Sequence, residues 1–596
     1  MTKLLEYQNE IIDYFHSDIQ QLSVIQSVAP RFIVEAPAGY GKTKVLINKV
    51  VYDLLCNKPK NHEKVLMITF SINSTSKMKQ DIEKEICYLP DTLKKRIKRK
   101  VKITNYHGLA RLILRKYGVE FSEKFLRMEE LDVIDDEVAI RDYLVSKEDK
   151  VVIGKYNEAV KTARGVFIHN NIEEYNDVII NRLLPNNYIT HNAIITLTIQ
   201  LLKENNELLV FYQQLFTNIV VDEFQDSNHL NLMLLELLLT NENVKLQIYG
   251  DHLQRIYGFI GTVPNLFDIF SEKYDCKYYK LQTNYRFKDN REMLMIDNKV
   301  RSVASNAYNK LDKTHSEYIK YHETHQEEVH DIVSRLKKGI EENSHRKFAI
   351  LVPQRGEDVD VLINELKYQD ISFYNALNID VNHKDYRLFH EICASEFQKH
   401  FMSSVKIIKS EINKWFQKVE FRLESTEIDI DTKSSFLKLF KAFVNSIVVD
   451  STYRKLAQKE KTEYILEVLL EHELSRYLSA IKDDIQILTI HSSKGLEWDE
   501  VFLMDMEEGK LPSWRGMCID CDYKENCKIE LNEDNEMVFI EQLSVFYVGV
   551  TRARERVNIS ASKKCARNFN KNISCLFDVL NIKPEKAEFK NVNKFV

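Results

Sequence analysis

The chain has 596 residues, 44% hydrophobic and 29% charged, with a formal net charge of −5. That length exceeds a single hydrophobic core and suits three or four units, and the scarcity of Pro and Gly leaves no Ser/Gly-rich linker between them. A slightly acidic balance excludes a global positive field for nucleic acid, so a bound strand would need a local groove.

The N-terminus lacks a cationic start followed by an apolar stretch, which predicts no signal peptide and a soluble, cytoplasmic protein. Strands are expected at 31–35, 64–70 and 101–104, with helices at 43–56 and 74–88, a parallel α/β pattern that binds ligands at strand C-termini. Residues 32–43 read Phe-Ile-Val-Glu-Ala-Pro-Ala-Gly-Tyr-Gly-Lys-Thr, an apolar strand running into a glycine turn. In such a loop backbone N–H groups face phosphates, Lys42 reaches the terminal ones, and the Thr43 hydroxyl ligates magnesium. The usual first glycine is Ala36 here, with Gly39, Gly41, Lys42 and Thr43 in place. A basic run from Lys94 to Lys102 reads either as a solvated face or as phosphate contacts.

From about 107 to 189 the pattern turns charged and helical, and strands return at 216–221 and 245–249, which describes one α/β core with a helical insertion. Residues 219–226 read Ile-Val-Val-Asp-Glu-Phe-Gln-Asp, a strand ending in the paired carboxylates Asp222 and Glu223. Such a pair can hold magnesium and activate a water at one point, so nucleotide hydrolysis is the leading expectation. The apolar stretch Leu230–Leu239 is broken by Asn231 and Glu236 and is too short to span a bilayer. A second alternation follows: a strand at 347–352, a helix near 357–367, a short strand near 371–374, a helical stretch over 385–482, strands at 485–490 and 500–504, and a helix near 536–548. The expected division is a first core over 1–106 and 190–285 with an insertion at 107–189, then a second core over 286–384 and 483–596 with an insertion at 385–482.

Further segments carry a resemblance to superfamily-1 DNA helicases of the UvrD/Rep type, in family order and over nearly the whole chain. They are Leu4-Leu5-Glu6-Tyr7-Gln8, Thr69-Phe70-Ser71-Ile72-Asn73, Thr104-Asn105-Tyr106-His107-Gly108-Leu109 and Tyr249-Gly250-Asp251-His252-Leu253-Gln254-Arg255-Ile256-Tyr257-Gly258-Phe259. Leu281-Gln282-Thr283-Asn284-Tyr285-Arg286, Leu488-Thr489-Ile490-His491-Ser492-Ser493-Lys494-Gly495-Leu496-Glu497-Trp498 and Tyr547-Val548-Gly549-Val550-Thr551-Arg552-Ala553-Arg554 complete the set.

The resemblance implies two RecA-like cores acting as an ATP-dependent motor that moves 3′→5′ on single-stranded DNA. By it Gln8 reads adenine and Tyr285 stacks on it. Ala38, Gly39, Gly41, Lys42, Thr43, Lys44, Arg286, Glu497 and Arg552 line ATP. Thr43 and Asp222 hold Mg²⁺, Asp222 through water, Glu223 is the general base, and Gln254 senses the γ-phosphate. Arg286 and Arg552 meet the departing charge, a contribution of about 10³–10⁵ in rate where such arginines act. Phe70, Asn73, His107, Tyr257, Phe259, His491 and Lys494 contact the strand. Stacking on such aromatics is worth roughly 1–3 kcal/mol per base, and the alternative for Phe70 is a core position. Ile260 departs from the arginine of many relatives, and the second insertion is shorter than in large members.

Cys518, Cys521 and Cys527 form a cluster that fits zinc, an iron–sulfur cluster, or three reduced thiols, with Cys565 and Cys575 following. The compact build resembles helicases encoded beside nucleases in prokaryotic defence operons. The partners implied are single-stranded or tailed duplex DNA and a nuclease, and the rival reading is a DNA-stimulated ATPase that remodels DNA ends.

Overall fold

The computed structural model describes residues 2–57, 59–70, 72–256, 261–263, 265–305, 311–379, 383–401, 405–449, 458–470, 472–514 and 536–587. The chain divides into two compact units, Met1–Tyr285 and Arg286–Val596. Among the described residues no helix is long and apolar enough to cross a membrane, and no cysteine is in a disulfide.

The first unit holds strands β1 (Arg31–Glu35), β2 (Lys64–Thr69), β3 (Val101–Asn105), β4 (Asp132–Ile134), β5 (Tyr188–Thr190), β6 (Phe216–Val221), β7 (Lys245–Gly250) and β8 (Lys277–Lys280). Six of them form one sheet in the order β3-β2-β6-β7-β1-β8, and every neighbouring pair is parallel. Strands buried on both faces read as unbroken apolar runs, and that is what made β1, β2, β6 and β7 visible in the sequence. Phe32 and Val34 point to the face covered by Val45, Leu46 and Val50 of helix Lys42–Cys56. Ile33, Leu66, Ile68, Ile219 and Val221 point to the other, where they share a core with Leu109, Ile113 and Tyr175. The insertion is therefore part of the sheet's packing. Within it Tyr156 stacks on Tyr175 at 4.2 Å, and the Tyr175 hydroxyl donates to Asp136 at 2.6 Å.

The second unit carries β9 (Thr314–His322), β10 (Phe348–Val352), β11 (Tyr374–Asn375), β12 (Ile485–Thr489), β13 (Trp498–Leu503), β14 (Ala553–Ser562) and β15 (Ile582–Lys586). Their order is β11-β12-β10-β13-β14-β9-β15, again all parallel. Helices including Lys384–Phe401, Lys409–Glu424 and Ile430–Val449 intervene between β11 and β12. The fold is thus α/β with two RecA-like parallel sheets, each interrupted by a helical insertion.

Five strands of these sheets differ from the sequence expectation. The strand expected at 371–374 is only Tyr374–Asn375. β8, β9, β14 and β15 were not expected. β8 and β15 lie at sheet edges, where one flank is solvated: β8 buries only Tyr279, and β15 contains Pro584, which an edge tolerates.

Candidate nucleotide site and strand-binding segments

β1 delivers the chain into a loop whose Gly39 and Gly41 have φ of 84° and 82°. Gly41 is the N-cap of helix Lys42–Cys56 and offers no side-chain acceptor. The first-turn N–H groups, those of Thr43 and Lys44 among them, are left for an anion. The ammonium of Lys44 is engaged elsewhere, 3.7 Å from Glu85 and 4.1 Å from the centre of the Tyr14 ring.

The glutamine at this loop is Gln21, not Gln8. Gln21 is buried and donates from Nε2 to the Tyr40 carbonyl at 3.0 Å. A Cβ on Gly41 would lie 2.7 Å from that nitrogen. Asp18 caps the short helix Ile19–Ile25 by accepting from the Gln21 N–H, and its other oxygen accepts from the Tyr285 hydroxyl at 2.7 Å. The Tyr285 N–H donates to Gly39 O at 2.9 Å. Gln21, Asp18, Tyr285 and the loop form one assembly. Helix Thr2–Phe15 instead turns Ile11 and Phe15 into the core, and Gln8, half-buried on it, makes no hydrogen bond to the loop. The missed signal was an Asp-x-x-Gln start to a short capped helix just before the first strand.

The carboxylates follow β6. Lys42 Nζ lies 2.5 Å from Glu223 and 3.2 Å from Asp222. Burial works against this ammonium, but the two carboxylates hold Lys42 well above the usual lysine range. Burial pushes the Asp222 carboxyl up, Lys42 opposing and Glu223 adding to the rise. An adjacent pair of this kind, Asp222 buried and Glu223 half-buried, fits a divalent cation, which would relieve both the burial of Asp222 and the mutual repulsion. Glu223 sits at φ 52°, a left-handed conformation uncommon outside glycine and often found at functional sites.

Gln225 ties this pair to the next strand. Its Nε2 donates to Glu223 at 2.6 Å, and its Oε1 accepts from the Asp251 N–H at 3.2 Å. Gln254, buried one turn on, donates to Asp251 at 3.0 Å. Glu35, at the end of β1, accepts from Tyr278 at 2.9 Å and faces His252 at 2.9 Å and Lys280 at 3.3 Å. Burial would raise its carboxyl, yet His252, Lys280 and Tyr278 hold it at about 2.

In the second unit Arg286 is bound by the Glu497 carboxylate and the Thr551 carbonyl. Arg552 is buried and donates to Val548 O at 3.0 Å, Leu496 O at 3.3 Å and Thr551 Oγ1 at 3.1 Å. The structure thus gathers Arg286, Glu497, Thr551 and Arg552 into one cluster.

Residues 17–275 match the UvrD/REP helicase N-terminal domain, and residues 376–564 match the UvrD-like helicase C-terminal domain. A probable DNA helicase II homolog of Mycoplasma genitalium is 24% identical, over 89% of this chain and 82% of its own length. The ATP-dependent DNA helicase Rep of Buchnera aphidicola is 22% identical, over 88% and 91%, and the ATP-dependent DNA helicase PcrA of Staphylococcus aureus is 22% identical, over 91% and 83%. The chain belongs to the UvrD-type superfamily-1 helicases.

Several strand-binding candidates of this UvrD-type chain occupy loops or first turns beyond strand C-termini. Phe70 directly follows β2 and is half-buried, and Asn73 lies in the first turn of helix Ile72–Glu85. His107 follows β3 and packs edge-on to His191, ring centres 6.0 Å apart. Burial, with His191 and Arg111 adding, lowers its pKa to about 3, so the ring is neutral. His491 and Lys494 follow β12, and burial together with Lys494 lowers the His491 pKa. Tyr257, Phe259 and Ile260 lie outside the described residues, as do Cys518, Cys521 and Cys527.

The basic run is partly consumed in the fold. Lys100 is buried and caps the carbonyls of Lys60, Asn61 and Glu63. Arg96 donates to Leu54 O at 3.0 Å, and Lys98 pairs with Glu83.

Proposed function

We propose that this chain is an ATP-dependent DNA helicase that steps 3′→5′ along single-stranded DNA. The observation that carries the reading is the convergence of the phosphate-loop lysine on both strand-end carboxylates, with Gln225 linking Glu223 to Asp251. In this proposal Lys42 and the N–H groups of the helix start bind the β- and γ-phosphates of MgATP. Thr43 and Asp222 serve the Mg²⁺ and Glu223 polarises the attacking water. Gln21 and Tyr285 contact the adenine, while Gln254 reports the γ-phosphate to the strand-binding segments. Arg286 and Arg552 supply the cations that stabilise the departing phosphoryl charge. The 3′→5′ direction rests on the order of the motifs and their resemblance to the UvrD/Rep type.

The catalytic assignment is tested by two variants that fail differently. Lys42→Ala weakens nucleotide binding and abolishes turnover, whereas Glu223→Gln retains binding and traps ATP unhydrolysed. Parental hydrolysis by Glu223→Gln would remove the catalytic assignment. Direction is tested by strand displacement from 3′- and 5′-tailed duplexes, and preferential opening of the 5′-tailed substrate would reverse the proposed polarity.

A further inference from the structure

The second unit buries a charge cluster that the nucleotide chemistry does not use. It lies beyond the C-terminal ends of four adjacent strands, β10, β13, β14 and β9, the edge at which α/β sheets bind ligands. His325 opens helix His325–Glu342, whose start is fixed by a capping box between Thr324 and Glu327. The His325 Nε2 lies 2.8 Å from the Asp358 carbonyl, which can only accept, so that nitrogen carries the hydrogen. Nδ1 then faces Glu328 Oε2 at 3.2 Å and Asp505 Oδ1 at 4.0 Å. Side-chain exposures of His325, Glu328 and Asp505 are 1%, 0% and 1%.

Asp505 is the unusual member. It adopts φ 61° without being glycine. Its Oδ2 pairs with Lys510 at 2.8 Å, while its Oδ1 is buried and has no hydrogen-bond partner. Glu328 is oriented by Ser560, which donates at 2.6 Å, and by the Asp505 N–H at 3.3 Å. The charges around the cluster are four carboxylates, of Glu328, Asp358, Asp505 and Glu507, against the ammoniums of Lys510 and Lys571. With a neutral imidazole this leaves an excess of two negative charges.

We propose that His325, Glu328 and Asp505 bind one divalent transition-metal ion, Zn²⁺, through Nδ1 and two carboxylate oxygens. The three donor atoms lie within 4.8 Å of one another. Tetrahedral zinc sets neighbouring donors about 3.3 Å apart; the His325–Glu328 pair meets that spacing, and Asp505 needs to close on His325 by less than an ångström. The Nε2–H to a backbone carbonyl is the outer hydrogen bond that metal-bound histidines characteristically make. The ion's two charges balance the cluster and take up the unpartnered oxygen of Asp505. It would pin the start of helix His325–Glu342 to the segment leaving β13.

The test uses the full chain with Cys518, Cys521 and Cys527 changed to serine, so that thiols cannot contribute metal. Purified without chelator, it should hold about one zinc per chain. Adding His325→Gln should cut zinc content about tenfold or more. Asp505→Gly should do the same while relieving the positive φ, which separates loss of a ligand from loss of the fold. Co²⁺ in place of zinc should give a visible band without thiolate charge transfer, absent from both variants. The proposal is overturned if the serine-substituted chain holds no zinc, gives no Co²⁺ band and melts identically with added zinc or EDTA. The cluster would then be neutralised by protons, on His325, whose pKa is drawn up to about 9, and on Glu507, pushed up to about 8.

Discussion

Gln225 holds one oxygen of Glu223 at 2.6 Å and the Asp251 N–H at 3.2 Å, so its amide sets where the proposed base points. Displacing a reacting group by an ångström can cost about 100-fold in rate. Gln225→Ala should therefore lower kcat by up to that factor while KM for ATP stays nearly constant; a change confined to KM would show that Gln225 serves binding alone. Glu35 makes a prediction about acid stability. Its carboxyl is held at about 2, below its ordinary 4.5, so the stabilisation is present above the unfolded value and is lost as pH falls through about 2. Glu35→Gln should cost roughly 1–3 kcal/mol at neutral pH, with the two proteins converging near pH 2 in denaturant titrations. Equal stability of the pair at pH 7 would contradict the role given to His252, Lys280 and Tyr278.

The short helix Ile19–Ile25 and the phosphate loop constrain each other through Gln21 and Gly41. Gly41→Ala meets two obstacles: a left-handed φ of 82° and a Cβ 2.7 Å from the Gln21 amide. The backbone penalty is about 1–2 kcal/mol, and the contact adds to it. Gly41→Ala with Gln21→Ala should recover only the contact, so thermal melting of the double variant should fall between parent and single variant. Full recovery would mean that the backbone conformation costs nothing. The same elements show which parts of the fold were legible. β1, β2, β6, β7, β10 and β12 are buried on both faces and announce themselves as apolar runs, and the loop after β1 is legible because only glycine, lysine and a hydroxyl residue serve its chemistry. β8 and β15 bury too little for any periodicity to register. The resemblance pointed to Gln8, and only the packing of helix Ile19–Ile25 brings Gln21 to the loop instead. Gln225 was in plain view beside Glu223, but a hydrogen bond to Asp251, 26 residues away in sequence, is a tertiary fact.

Each unit has its own parallel sheet and its own buried core. Thermal unfolding of the whole chain should depart from a two-state transition, as is usual for proteins of more than one domain. Residues 1–285 alone should fold cooperatively and bind nucleotide, because Gln21, Lys42, Asp222, Glu223 and Tyr285 all belong to that unit. Lacking Arg286 and Arg552, the fragment should hydrolyse ATP about 10³-fold or more slowly than the full chain. Circular dichroism melting and titration with a fluorescent nucleotide check the first two expectations. Hydrolysis by the fragment at the full-chain rate would sink the third, and with it the function proposed for both arginines.

Lys42 carries a thermodynamic consequence of its own. Its ammonium is the counterion of Asp222 and Glu223, so a phosphate that drew it away would leave the two carboxylates, one of them buried, bare beside a polyanion. Under the proposed function, free ATP should on that account be a poor ligand. Magnesium arriving with the nucleotide would replace the lysine's charge at the carboxylates, so the proposal predicts that the metal and ATP bind with positive heterotropic linkage. Each should then raise the affinity of the other by the same factor, with the nucleotide entering and leaving as a metal complex.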